Sequence, residues 1–224
     1  MTLTHILFAL TLVMSLGAQA QCDAQPQRLI AHYSLEQPGK AVRSLELVRL
    51  DNQVALHWAD DGLTERWTRL AGGQLRLERL FDQYQRAIEY QPEDLKALNS
   101  ERAWKRQWQL LDPVALNALT VTTTSGDGCE HHQHRSGAGT ELVWLPDLQL
   151  VQSLSSPSQT LTLLQLNHSD IDVQQRMQHW DQFAATDYAD VGDNEQDPLL
   201  SKMIIQGFSR RQANTINHHH GHDH

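Results

Sequence analysis

The chain is poor in cysteine and proline and has no excess of positive charge. Its 224 residues include two cysteines, Cys22 and Cys129, and seven prolines. Two cysteines exclude a small scaffold held together by many disulfides. The 18 Lys and Arg residues are outnumbered by 27 Asp and Glu residues, which gives a net charge of −9. This balance excludes a polybasic membrane patch and argues against nucleic acid as a partner.

Long apolar runs are missing after the first 20 residues, so we predict no transmembrane segment. The N-terminal run, 6–16, is too short for an anchor, and it is followed by Ala18 and Ala20 with the spacing that signal peptidase requires. We predict a signal peptide over 1–20 and a periplasmic or secreted protein. The first residues lack the usual Lys or Arg. Cys22 leaves a lipoprotein signal as the alternative, although a lipobox needs a small residue just before the cysteine.

Enzyme motifs are missing too. The sequence contains no G-x-S-x-G, no phosphate-binding glycine loop and no H-E-x-x-H. It therefore gives no catalytic residue and indicates no organic cofactor. We favour a non-enzymatic protein. A hydrolase is the weaker alternative, since it would need an acid–base pair that converges in a cleft.

Alternating apolar and polar residues predict two antiparallel meanders separated by Gly, Pro, Asp and Asn turns. In 43–50, for example, Leu45, Leu47 and Arg49 fall on one face. Each strand should give one face to a core and the other to water. The predicted strands are 28–34, 43–50, 53–58, 63–69, 74–81 and 84–90 in the first meander, and 118–124, 129–135, 140–145, 148–154 and 159–166 in the second.

Helical patterns follow each meander. Pro92 breaks the strand pattern, and Trp104 and Trp108 lie one helical turn apart, so we expect both to pack on the sheet. The predicted class is α+β: one domain, 21–211, with a large curved antiparallel sheet, a helical insertion and C-terminal helices. The predicted helical segments are 92–118, 172–185 and 199–208.

Histidine is abundant, with 13 residues, and the C-terminus is especially rich in it. Neighbouring imidazoles on a chain end can bind zinc, copper or nickel. We predict that 212–224 is a disordered tail that binds a divalent metal ion; the alternative is a solvated end without a ligand. The predicted ligands in the tail are His218, His219, His220, His222 and His224.

A second histidine group lies on the predicted strand 129–135. Strand alternation places Cys129 with His131 on one face and His132 with His134 on the other. We predict that His131, His132 and His134 are metal ligands, although either pair needs a third ligand from elsewhere. The alternative is that they are exposed polar residues.

The two cysteines are predicted to form a disulfide in an oxidising compartment. A bond between Cys22 and Cys129 would close a long loop and stabilise the fold by about 3–5 kcal/mol. The alternative is a free Cys129 that binds metal beside the histidines.

The strand order and the predicted compartment resemble the LolA/RseB-like periplasmic half-barrel proteins. The segments WLPDLQL and DYADVGDNEQDP are similar to blocks that define families of exported bacterial proteins. The resemblance implies a curved sheet around helices and a carrier or sensor that binds a lipid, peptide or protein. No motif specific to that group is present, so it assigns no binding residue. We expect an accessory protein with a metal-binding tail, and the carrier or sensor is the alternative.

Overall fold

The computed structural model describes residues 24–193 and 196–206, which form one large sheet with short helices. The strands are β1 (Arg28–Glu36), β2 (Arg43–Leu50), β3 (Gln53–Trp58), β4 (Leu63–Arg69), β5 (Leu75–Phe81), β6 (Arg86–Tyr90), β7 (Thr120–Ser125), β8 (His132–Gly137), β9 (Thr140–Leu145), β10 (Leu150–Ser156), β11 (Gln159–Asn167) and β12 (Ala184–Asp187). The helices are α1 (Pro92–Ala97), α2 (Trp104–Gln109), α3 (Pro113–Ala118), α4 (Asp170–Asp181) and α5 (Pro198–Gln206).

Two antiparallel meanders share the first strand. The strand order is β12-β6-β5-β4-β3-β2-β1-β11-β10-β9-β8-β7. Strand β1 pairs with β2 on one side and with β11 on the other. Each of the eleven predicted strands overlaps an observed strand, so the prediction of two meanders is confirmed. The twelfth strand was not predicted, because its sequence AATD has no apolar alternation.

The predicted α+β class with a helical insertion is wrong. The dominant element is a mixed sheet of 12 strands, in which β12 pairs parallel with β6. The insertion is three separate helices, α1 to α3, of six residues each. Asn99 and Leu110 interrupt it with φ values of 50° and 57°. A residue with a left-handed backbone ends an α-helix, so residues 92–118 cannot form one continuous helix.

Each face of the sheet has its own core. One face packs against the insertion and α5, and its core includes Trp108, with Trp104 partly buried beside it. The packing expected of these two tryptophans is therefore confirmed. The other face holds α4, which buries Val173, Met177 and Trp180 against β1 to β6.

In the first meander, one face of the sheet carries α4. In the second meander, the same face is mostly polar, and Val143 also lies on it, between His134 and Ser153. Leu142, Leu154 and Leu161 point to the opposite core. Because side chains alternate along a strand, their neighbours point the other way. The register then places a row of polar side chains on this outer face: Thr123, Ser125, His132, His134, Ser136, Glu141, Ser153, Ser155, Thr160 and Thr162.

Several sequence predictions lie outside the described residues. They are the signal peptide, Cys22 and the His-rich tail. Within the described part of the chain, no helix is long and apolar enough to span a membrane.

Candidate metal centre

The strand with the central histidines begins later than predicted. Gly128–Glu130 forms a 3₁₀ turn, and β8 starts only at His132. The turn requires positive φ values of 76° at Gly126 and 59° at Gly128. The predicted strand face with Cys129 and His131 is therefore wrong, because neither residue lies in a strand.

The other predicted pair is confirmed: His132 and His134 project from the same face of β8. Their ring centroids are 5.3 Å apart and the rings are inclined by 71°. In the register with β7, His132 lies opposite Ser125 and His134 lies opposite Thr123. The pair therefore stands on the polar outer face, close to one edge of the sheet.

Hydrogen bonds define the tautomer of His132. Its Nδ1 lies 2.7 Å from the carbonyl oxygen of Glu130. A carbonyl only accepts, so Nδ1 must carry the proton and donate. In the neutral ring Nε2 then holds the lone pair, and the Ser125 hydroxyl, 2.9 Å away, can donate to it. Nε2 is therefore the nitrogen available as a ligand.

His131 is directed elsewhere. Its Nδ1 lies 2.9 Å from an Asp147 carboxylate oxygen, in the turn between β9 and β10. Within the described ranges, no group of three or more His, Cys, Asp or Glu side chains could hold a metal ion. The structure thus brings together two of the three predicted central ligands, His132 and His134, and leaves His131 out.

Cys129 is not a free thiol. Its predicted partner, Cys22, lies outside the described residues, so the disulfide pairing stays a prediction.

A buried ion pair lies under α4. Arg66 donates both Nε and Nη2 to the Glu78 carboxylate at 2.8 Å, and its Nη1 reaches Asp181 of α4 at 2.5 Å. Burial alone would lower the pKa of Arg66, but these two carboxylates raise it. This ion pair ties the C-terminal end of α4 to β4 and β5.

A polar row lies beside this ion pair. His32, Glu46, His57 and Thr64 are consecutive cross-strand neighbours on β1 to β4. Nδ1 of His57 lies 2.9 Å from the Thr64 hydroxyl, and the His57 ring lies 6.0 Å from that of Trp180. Arg176 of α4 donates to Glu46 at 2.6 Å. The row holds the middle of α4.

Protonation of His57 should weaken the fold. Burial lowers its pKa below 6.5, and the charge of Arg176 adds to this, against opposing effects of Asp82 and Glu46. Because the unfolded chain then binds more protons, stability should fall as pH drops below about 6.5 until the folded-state pKa is passed. Urea midpoints measured from pH 7.5 to 5 should show this fall. His57→Gln should flatten the curve, and a variant that keeps the full slope would contradict the assignment.

Arg49 of β2 joins the insertion to the sheet on the opposite face. Arg49 is fully buried, and its guanidinium donates to the carbonyl oxygens of Trp108, Pro26, Leu148 and Gln149. It also lies 4.6 Å from the centroid of the Trp108 ring. Burial lowers the pKa of Arg49 to about 9, and the nearby Tyr33 opposes this shift.

Comparisons with known proteins do not assign the chain. No family model matches it. No curated protein matches it either. The solved structure "Structure of PNGF-II in C2 space group" aligns with 10% identity and a TM-score of 0.38, over 80% of this chain and 32% of that chain. The chain thus spans about a third of that structure's length, and similarity at this level carries no argument. The resemblance to LolA/RseB-like proteins stays a prediction.

Sequence reasoning missed the buried ionic groups. A partial signal existed, since alternation placed Arg49 on the same face as Leu45 and Leu47. Their partners lie far away in the chain, as Asp181 does from Arg66 and Leu148 does from Arg49. These groups fix helices to the sheet. The histidine pair on the outer face consists of side chains that can bind a metal ion.

Proposed function

We propose that this chain is a non-enzymatic exported accessory protein that binds a transition-metal ion through His132 and His134 and through its tail. The separation of the two rings carries the proposal. A metal ion about 2.0–2.1 Å from one nitrogen of each ring, at a tetrahedral angle, holds the two ring centroids roughly 5 Å apart. The ring centroids of His132 and His134 are 5.3 Å apart.

The hydrogen bonds of His132 support the same role. A metal-bound histidine usually donates its second ring nitrogen to a carbonyl or carboxylate, which fixes the tautomer and makes the ligating nitrogen more basic. The bond from Nδ1 to the Glu130 carbonyl is of this kind. Neutral imidazoles suit zinc, copper and nickel, and they do not suit magnesium or calcium.

Two imidazoles leave part of the coordination sphere to other ligands. In the portion of the chain that the structure describes, no third His, Cys, Asp or Glu joins the pair. Solvent or the tail histidines would complete the site. The tail ligands in the proposal are His218, His219, His220, His222 and His224.

The alternative, a carrier or sensor with an apolar groove on the sheet, has less support. Trp108 and Leu116 of the insertion, with Leu199 and Leu200 of α5, belong to the core on the main apolar face. Side chains of the protein itself therefore pack where a lipid or peptide would lie.

Calorimetric titration of the mature full-length protein with zinc and copper(II) tests the proposal. A variant with all five tail histidines changed to serine should keep one binding site. Adding both His132→Gln and His134→Gln should abolish this binding. Either change alone should weaken the metal affinity at least about tenfold, because the site then keeps only one of its two imidazoles.

His131→Gln is the matched control, since His131 is the adjacent histidine but bonds to Asp147. It should leave the affinity unchanged. The proposed site would be disproved if the tail variant bound no metal, or if the double substitution left its binding intact.

A further inference from the structure

The turn before β8 has a shape that only glycine permits at one position. Gly126 has a φ of +76°, and a Cβ there would lie 2.2 Å from the carbonyl oxygen of Glu130 and 2.8 Å from its carbonyl carbon. Both contacts are with backbone, so no side-chain rotation relieves them. A side chain at 126 would have to displace the Glu130 carbonyl.

The same carbonyl accepts the hydrogen bond from Nδ1 of His132, at 2.7 Å. If it moves away, the proton on the ring is no longer held at Nδ1. The ring can then carry the proton on Nε2, which removes the lone pair from the nitrogen that faces Ser125. The conformation of residue 126 is thereby linked to the nitrogen that His132 offers to a ligand.

The turn is closed by its own backbone hydrogen bonds. Its backbone is closed by bonds from Glu130 N to Asp127 O and from His131 N to Gly128 O, both 3.2 Å long. The Glu130 carbonyl is therefore already in place before a ligand arrives.

We propose that Gly126 and the Glu130 carbonyl are positioning groups of the metal site, fixing His132 in the tautomer that presents Nε2 to a zinc, copper or nickel ion beside His134. The inference rests on the proposed function. Neither group touches the metal, and both act through the His132 ring. Orientation of this kind commonly changes metal affinity by about 10–100-fold.

The test compares Gly126→Ala with Gly139→Ala in the full-length chain whose five tail histidines are serine. Gly139 also has a positive φ, +73°, but the nearest atom to a Cβ there is Pro157 Cγ at 3.9 Å. Both substitutions place a side chain at a similar positive φ, and only the first brings it against the Glu130 carbonyl. We expect zinc and copper(II) affinity to fall at least about tenfold in Gly126→Ala and to stay unchanged in Gly139→Ala.

Nitrogen-15 NMR of the His132 ring gives a second measurement that a purely structural role would not affect. Without metal, the parent should show the proton on Nδ1, and Gly126→Ala should shift it toward Nε2. A parent with its proton on Nε2 would overturn the inference even if the variant failed to fold. Equal affinities in the two variants would also overturn it while leaving the metal site intact. A parent that binds no metal would instead disprove the proposed function.

Discussion

Replacing Arg49 with methionine should lower the free energy of unfolding by at least about 3 kcal/mol, because several buried carbonyls lose their donor together. Methionine keeps much of the side-chain volume but donates no hydrogen bond. The carbonyls of Trp108, Pro26, Leu148 and Gln149 would lose bonds that Arg49 now provides. The loss should appear as a lower urea midpoint.

Arg43→Met is the matched control, because it makes the same substitution in the same strand. Arg43 lies near the surface, pairs with Asp61 and stacks over Trp58. Exposed ion pairs contribute at most about 1 kcal/mol, so this variant should be close to wild type. If Arg49→Met lowered the free energy of unfolding no more than Arg43→Met does, the buried carbonyls would not need Arg49.

Replacing Arg66 with methionine should cost about 3–5 kcal/mol, because it leaves the Glu78 carboxylate buried without its main partner. The side chains of Arg66 and Glu78 are each only 6% exposed. Arg76 lies 3.6 Å from Glu78 and can compensate only in part. Urea denaturation measures the loss, and hydrogen exchange should show the C-terminal end of α4 opening more readily than in wild type.

Asp181→Asn tests the surface contact of Arg66 with Asp181 independently of the buried pair of Arg66 with Glu78. The Asp181 side chain is 58% exposed, so removal of its charge should cost less than about 1 kcal/mol. An effect of Asp181→Asn as large as that of Arg66→Met would show that the surface contact, and not the buried pair, holds α4.

The strands could be predicted from the sequence because the alternation of apolar and polar residues is a local pattern. The segment 53–58, for example, was predicted with the bounds that the structure gives. The insertion could not be predicted in the same way, since Asn99 and Leu110 are left-handed although nothing in their residue type requires it. Strand β12 depends on α4 to bring it beside β6, and that is tertiary structure.

The histidine site was predictable to a similar degree. Alternation alone put His132 and His134 on one face, which the structure confirms. It could not show that the strand starts at His132, because the 3₁₀ turn before it depends on close packing between Gly126 and Glu130. The orientation of His131 toward Asp147 was equally hidden, since the two residues lie on different turns.

The position of β1 in the sheet sets the order in which the fold can be completed. As synthesis proceeds from the N-terminus, β1 can pair with β2 early, but its other edge must wait for β11, in which Asn167 pairs with Ile30. Pairings between residues so distant in sequence form slowly. Until β11 arrives, the newly made first meander has an open strand edge next to buried apolar residues, a common starting point for aggregation. The β1–β11 seam is therefore where a chaperone, or a misfolded neighbouring chain, has the longest time to bind.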